Sequence, residues 1–216
     1  EKLPHQCLLE KNDERTKHIL EVLKLKVGDT FKMGIVNESE GLGKVLSIEN
    51  SEVYFSYEPQ TVPSLYPVIL LCAQVRPICM KRILREAVSL GVETIILTGS
   101  DTGEKSYISS NLYKTGEYKT YLLDGAMQAC HGGVPEVLFA EGVNKAMDLV
   151  ETKLGPYKAD ASLILLDNAI GASPLSKSTI KGHGVLAIGP ERGWSPRERK
   201  SFIERGYEPK LLGNRV

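Results

Sequence analysis

Leu186-Ala187-Ile188-Gly189-Pro190-Glu191-Arg192-Gly193-Trp194-Ser195-Pro196 passes from an apolar run, through a glycine-rich turn, to the start of a helix. The run 184–188 is uninterrupted, as a strand covered on both faces requires. Ser195 then stands at the N-cap, Pro196 at the first helical position and Glu198 three residues on from the cap, a capping box with proline where its missing N–H costs nothing. A turn at the carboxyl end of a buried parallel strand is where open α/β sheets take ligands. Glycines let a ligand approach the backbone, and unpaired N–H groups at a helix start bind polar groups. Read alone, the same residues fit a purely structural strand-to-helix turn equally well. Neither G-x-G-x-x-G nor G-x-x-x-x-G-K-[ST] is present, which argues against nicotinamide chemistry and nucleotide hydrolysis.

Outward from this turn, strand and helix patterns alternate. Segment 162–166 is another buried strand, ending in Leu165-Leu166-Asp167-Asn168, and 68–75, 92–98 and 134–139 read as further strands. Arg76-Pro77 breaks the first of these. Segment 78–90 has helical spacing through Ile83, Leu84, Ala87, Val88 and Leu90 with Gly91 as its cap, and 118–128, 144–154 and 195–205 are further helices. Leu211-Leu212 before Gly213-Asn214 marks 210–212 as a last strand ending in a turn. This alternation predicts an α/β fold with a mostly parallel sheet and right-handed crossovers. If the strands ending near 166, 188 and 212 are neighbours, their ends form one crevice lined by backbone.

Residues before about 60 have a different texture. An amphipathic helix is predicted over 17–25, through Ile19, Leu20, Val22, Leu23 and Leu25, with a turn at Val27-Gly28-Asp29. Short strands follow at 30–36, 43–48 and 52–57, and short strands joined by tight turns predict a small barrel. Glu58-Pro59-Gln60-Thr61-Val62-Pro63-Ser64 reads as a linker, so the predicted domains are 1–62 and 66–216. Lys plus Arg total 27 against 27 for Asp plus Glu, so the overall charge does not by itself point to nucleic acid. Cys7, Cys72, Cys79 and Cys130 form no C-x-x-C pair, which predicts reduced thiols packed as small hydrophobes and no metal site. With no apolar run of membrane-spanning length and no signal peptide, the expected setting is the cytoplasm. The chain begins at Glu1 rather than Met, which implies that its true start lies upstream.

Two motifs carry a family resemblance. Gly189-Pro190-Glu191-Arg192-Gly193-Trp194-Ser195 resembles the G-P-E-G-G-[FW]-S signature of the bacterial ribosomal small-subunit (16S) RNA uridine-N3 methyltransferases, and Leu212-Gly213-Asn214-Arg215-Val216 is similar to their L-G-x-R-[IV] motif. Arg15-Thr16-Lys17-His18-Ile19 with residues 22–29 resembles the amino-terminal R-x-x-H-[IL]-x-x-V-L-R-x-x-x-G-D segment, Lys24 standing for the usual Arg. Residues 86–92 resemble the stretch ending T-E-L-G-V, Glu104-Lys105-Ser106-Tyr107 an E-[RK]-S-Y segment, and Gln128 with Pro135 an A-x-x-Q…P segment. Arg192 replaces the second glycine of the turn, and His131 stands where many members have Arg. The family motif runs on past the position of Val216 as L-R-x-E-T-A and a closing helix, which implies that the carboxyl end of this domain is incomplete in the chain.

The family belongs to the SPOUT superfamily, and the resemblance implies its fold: a small amino-terminal PUA-like β-barrel that binds RNA, joined to a parallel-sheet α/β methyltransferase domain with a carboxyl-terminal trefoil knot. It implies S-adenosylmethionine held by Leu166, Ile188, Gly189, Pro190, Glu191, Gly193, Leu211, Leu212, Gly213 and Val216, with Glu191 either orienting the loop or touching the cofactor. The implied reaction is methyl transfer to N3 of a uridine in 16S ribosomal RNA or the small ribosomal subunit. An arginine beside the cofactor would stabilise negative charge developing on the uracil, and Arg215 is the candidate; a structural arginine bonded to loop carbonyls is its other reading. Arg15, Lys17, His18, Lys24, Lys26 and Lys105 are the candidate RNA contacts. A homodimer is implied by similarity. Two alternatives stand beside this reading: a knotted methyltransferase acting on another RNA, and a non-catalytic RNA-binding or assembly protein with a degenerate pocket.

Overall fold

A computed structural model describes residues 5–168 and 172–213, which fall into two compact units. The first comprises the described residues up to Ser64 together with Cys130–Gly133, and the second comprises Leu65–Ala129 and the described residues from Val134 onward. In the first unit β1 (His5–Leu9), β2 (Thr30–Ile35), β3 (Ser39–Glu49) and β4 (Glu52–Thr61) make an antiparallel sheet in the order β1-β4-β3-β2. Alternate residues of β4, namely Val53, Phe55 and Tyr57, are buried with Leu9, Ile19 and Val45, as the two-residue period of a strand with one covered face dictates. The small barrel expected from the turn pattern takes the form of this sheet; among the described residues, β1 and β2 are not paired to each other.

Three boundaries in this unit differ from the sequence reading. The helix starts earlier than residue 17, as α1 (Glu14–Lys17) continued by a π turn over His18–Val22, because the Asp13 side chain accepts from the Arg15 N–H at 2.8 Å and so caps it. Lys24 turns the chain away with φ +52°. The stretch from Glu58 to Thr61 is strand rather than linker: Pro59 pairs with Gly41 at a bulge, where a Cβ on Gly41 would lie 2.0 Å from the Glu58 carbonyl oxygen. Cys130–Gly133 belongs to the first unit rather than to the later domain. It is held there by the Gly132 N–H donating to Glu40 Oε1 at 2.5 Å and the Gly132 carbonyl accepting from the Asn37 N–H at 2.9 Å.

In the second unit the apolar runs form β5 (Tyr66–Ala73), β6 (Val92–Thr98), β7 (Glu136–Ala140), β8 (Ser162–Leu166), β9 (Ser173–Pro174), β10 (Gly184–Ile188) and β11 (Glu208–Leu211). The helices are α2 (Pro77–Ser89), α3 (Asn111–Lys114), α4 (Tyr118–Ala129), α5 (Val143–Leu154) and α6 (Pro196–Glu204). The seven strands are parallel throughout, in the order β7-β6-β5-β10-β8-β11-β9. Pro77 opens α2 at its first turn instead of merely ending the strand before it, since a proline there gives up no helical hydrogen bond.

Successive residues of β5 serve opposite layers. Ile69, Leu71 and Ala73 pack with Ala146, Met147 and Val150 of α5 and Phe202 of α6. Leu70 and Cys72 pack with Met80 and Leu84 of α2 and Leu122 and Ala126 of α4. Burial pushes the Cys72 thiol up to about 12, so it is a packed hydrophobe and not a nucleophile. β8 and β9 are consecutive in sequence yet not adjacent: β11, the last strand, lies between them and pairs with both.

The α2–α4 contact is closest at Gly125, where a Cβ would sit 2.4 Å from the Arg85 carbonyl oxygen and 2.8 Å from Val88 Cβ. Gly125→Val is expected to destabilise the α/β unit by about 1–3 kcal/mol through overpacking. A urea-unfolding series reads this, and an unchanged transition would contradict the packing described.

Candidate functional site

The carboxyl ends of three adjacent strands lie level with one another. Ile188 of β10 is the cross-strand partner of Leu166 in β8, and Lys210 of β11 is the partner of Leu166 on its other side. The next residues along each strand therefore emerge at one edge: Asp167, Gly189 and Leu211. Leu166, Ile188 and Gly189 are half-buried, whereas Leu212 is 76% exposed. An apolar side chain standing in solvent beside two half-buried ones makes a surface on which a flat ring can lie.

The turn after β10 is built by its glycines and its tryptophan. The Gly193 N–H donates to the Pro190 carbonyl at 2.8 Å, and Gly193 has φ +69°, a conformation that glycine adopts without strain. At Gly189 the constraint is steric, since a Cβ would lie 3.3 Å from the Trp194 ring. Trp194 is buried and stacks edge-on against Phe202 at 4.9 Å between centroids. Arg192 is exposed and not at positive φ, so this turn makes no demand for glycine there and accommodates the departure from the family signature.

Polar anchors fix the turn to three other loops. Glu191 Oε1 accepts from the Arg76 N–H at 3.4 Å, after β5. The Gly193 carbonyl accepts from the Thr102 hydroxyl at 2.6 Å, after β6. Glu198, 2% exposed, accepts from the Ser195 N–H and from the Asp101 N–H, each at 2.8 Å. The capping box is therefore present, and its carboxylate also holds a loop 97 residues away in sequence. Arg199 grips Asp167 through Nε at 2.5 Å and a terminal nitrogen at 3.3 Å, joining α6 to the end of β8. Asp101 accepts from Arg197 and from the Ser195 hydroxyl, and these two, the arginine first, hold its carboxyl below the ordinary 3.8.

Of the residues singled out in the sequence, Leu166, Ile188, Gly189, Pro190, Glu191, Gly193, Leu211, Leu212 and Gly213 come to this one edge of the sheet. Arg215 and Val216 lie outside the described residues. Arg15, Lys17, His18, Lys24 and Lys26 are exposed in the first unit, Arg15 paired with Asp13 at 2.5 Å, whereas Lys105 is exposed in the second. Asp101, Thr102 and the Asp167–Arg199 pair were not singled out as site residues. Asp167 carried a signal, as the first polar residue after a buried strand. Thr102 carried none.

Two expectations follow. Glu198→Ala strands two part-buried N–H groups and should destabilise the unit by about 1–3 kcal/mol, read by chemical denaturation; a loss near zero would mean the carboxylate is not the clamp. For Asp101 the charged form is the bonded one. Its contribution is present above the unfolded value of about 3.8 and is lost as pH falls through the lower folded value. The thermal midpoints of wild type and Asp101→Asn should thus converge as pH drops from about 5 to about 2, and a constant gap would contradict it.

Comparison with known proteins was consistent across three kinds of match. The RNA methyltransferase domain family matches residues 62–216. A ribosomal RNA small subunit methyltransferase E of Treponema pallidum is 32% identical over 220 residues, covering 100% of this chain and 82% of that protein. A ribosomal RNA small subunit methyltransferase E 1 of Borreliella burgdorferi is 26% identical, covering 92% of this chain and 81% of that protein. Among solved structures, a ribosomal RNA small subunit methyltransferase E of Neisseria gonorrhoeae bound to S-adenosyl methionine shares the fold, with a TM-score of 0.76 at 20% identity over 100% of this chain and 87% of that one. A probable rRNA methyltransferase of Porphyromonas gingivalis shares it with a TM-score of 0.71 at 19% identity, over 94% and 84% of the two chains.

Proposed function

This chain belongs to the RNA methyltransferase family, and we propose that it transfers a methyl group from S-adenosylmethionine to N3 of a uridine in the 16S RNA of the small ribosomal subunit. The observation that carries this reading is the level register of Leu166, Ile188 and Lys210, which brings the first motif, from Gly189, and Leu212 and Gly213 of the second to one edge of the sheet. That edge fits the cofactor. Half-buried Leu166 and Ile188 and exposed Leu212 offer apolar faces to an adenine, while Gly189 and Gly213 leave the backbone open to its polar groups. When bound, the cofactor supplies an electrophilic methyl group on a sulfonium.

The chain's own residues do the rest. The anchored turn, tied to the loops after β5, β6 and β8, holds its walls still, so that reactants meet in a preset geometry. Uridine N3 carries a weakly acidic proton that must leave, to bulk water, as the methyl arrives. Arg215, from the second family motif, is assigned to stabilise the negative charge developing on the uracil. The amino-terminal unit, with Arg15, Lys17, His18, Lys24 and Lys26 exposed, is assigned to the RNA backbone. The placement of β11 between β8 and β9 supports a trefoil-knotted chain end, and by family likeness the protein works as a homodimer in the cytoplasm. The exposure of Arg192 weighs against a degenerate pocket, since the side chain stands clear in solvent.

Calorimetry of the full-length protein with S-adenosylmethionine tests the cofactor assignment. The wild type should bind one equivalent per chain. Leu212→Glu, at an exposed position that leaves the fold intact, should bind at least about tenfold more weakly, because a carboxylate would be desolvated against the ring. Absence of binding by the wild type contradicts the reading.

A further inference from the structure

A second concavity lies along the same edge of the α/β unit, beyond the turn, at the carboxyl ends of β5 and β6. It measures about 530 Å³ and is lined by Gln74, Ser100, Lys105, Gly142 and Val143, among others. One wall is the start of α5. Its N-cap is Gly142, which has no side chain to cap the helix. The first intrahelical bond runs from the Ala146 N–H to the Gly142 carbonyl at 3.0 Å, leaving the N–H groups of Val143, Asn144 and Lys145 without an intrahelical partner. Such a terminus attracts negative charge.

A second observation comes from the opposite wall. Gln74 is 3% exposed, and its Oε1 accepts from the Tyr113 hydroxyl at 2.6 Å, which fixes the amide so that Nε2 is the remaining end. That Nε2 has no partner among the described residues, and neither has the Ser100 hydroxyl. Buried donors are ordinarily satisfied, and an orphan beside a cleft points to something that enters it. Lys105 on the rim and Lys145 in the first turn of α5 are exposed and form no ion pair among the described residues. Four carboxylates also line the cleft: Glu104 and Glu141 are exposed to solvent, Asp101 is paired with Arg197, and Glu198 is taken up by two backbone N–H groups.

We propose that this cleft takes a backbone phosphate of the RNA substrate, bound by the free N–H of Val143 at the start of α5, the amide of Gln74, the hydroxyl of Ser100 and the ammonium of Lys105. The inference rests on the reading that the chain acts on RNA. It makes the α/β unit a contributor to RNA binding in its own right, through a subsite that adjoins the anchors of the glycine turn at Asp101, Arg197 and Glu198. A phosphate suits it because it brings several acceptor oxygens and no donor, matching the unpartnered groups of Gln74 and Ser100 and the ammonium of Lys105.

Gly142 offers a clean probe. Its φ of −166° is open to any residue and a Cβ there meets nothing within 4 Å. Gly142→Asp caps the helix from within and competes with an external anion. It should leave the thermal midpoint equal or higher, because aspartate is a good N-cap. Binding of a fluorescein-labelled hairpin from the small-subunit RNA, followed by anisotropy across a KCl series, should weaken about tenfold. Lys105→Ala should lower the slope of log affinity against log salt by about one. Calorimetric binding of S-adenosylmethionine should be unchanged in both variants. Wild-type RNA affinity and slope in both variants would overturn the proposal while leaving the methyltransferase reading in place, and so would loss of cofactor binding, which would assign the cleft to the donor. A wild type that binds no RNA at all would overturn both.

Discussion

The pairing of β11 between β8 and β9 is the constraint on which the site depends. It carries the last described residues of the chain back to the end of a strand laid down more than forty residues earlier, so that Lys210 sits level with Leu166, with Leu212 and Gly213 just beyond. Without it, Leu166 and Ile188 would stand at the edge without Leu212 and Gly213 beside them. A parallel strand inserted between two others must displace water along both edges at once, and its backbone groups are paired on both sides only when it is fully seated. The edge is therefore assembled only in the completed fold.

The turn over Gly189 to Ser195 is then kept in place from outside. Glu198 holds the loop after β6, Glu191 reaches the loop after β5, and Arg199 grips the end of β8. The anchoring carboxylates of Glu198 and Asp167 are nearly buried, and each is matched by donors, as burial of charge demands. The consequence is a turn held firmly beside the ends of β8, β10 and β11. Such a turn loses little entropy when a ligand arrives. One carboxylate, Glu198, connects helix capping to the geometry of the binding edge.

Much of the α/β unit was legible in the sequence because its strands are continuous apolar runs. β6, β8 and β10 fall where those runs do, and Ser195-Pro196 with Glu198 marks the start of α6. Legibility failed where the deciding partner is remote. Nothing near Cys130 announces that Gly132 bonds to Glu40, and nothing near Thr102 announces Gly193. β1 lacks an alternating pattern, and β9 is only two residues long. Pro59 and Pro63 suggested a linker, but a bulge opposite Gly41 admits Pro59 to a strand. For the candidate site, the strand ends were readable as separate fragments. Their neighbourhood followed from family likeness and strand order, and the anchors Asp101 and Arg199 were visible only in three dimensions.

The central claim is that this edge serves methyl transfer to a ring nitrogen of uridine. Small ribosomal subunits from cells lacking this protein, incubated with the full-length protein and methyl-labelled S-adenosylmethionine, can be digested to nucleosides and resolved by mass spectrometry. The account predicts label in N3-methyluridine alone. Label in a ribose methyl group or in another base, or no label in subunits that the protein demonstrably binds, would contradict it.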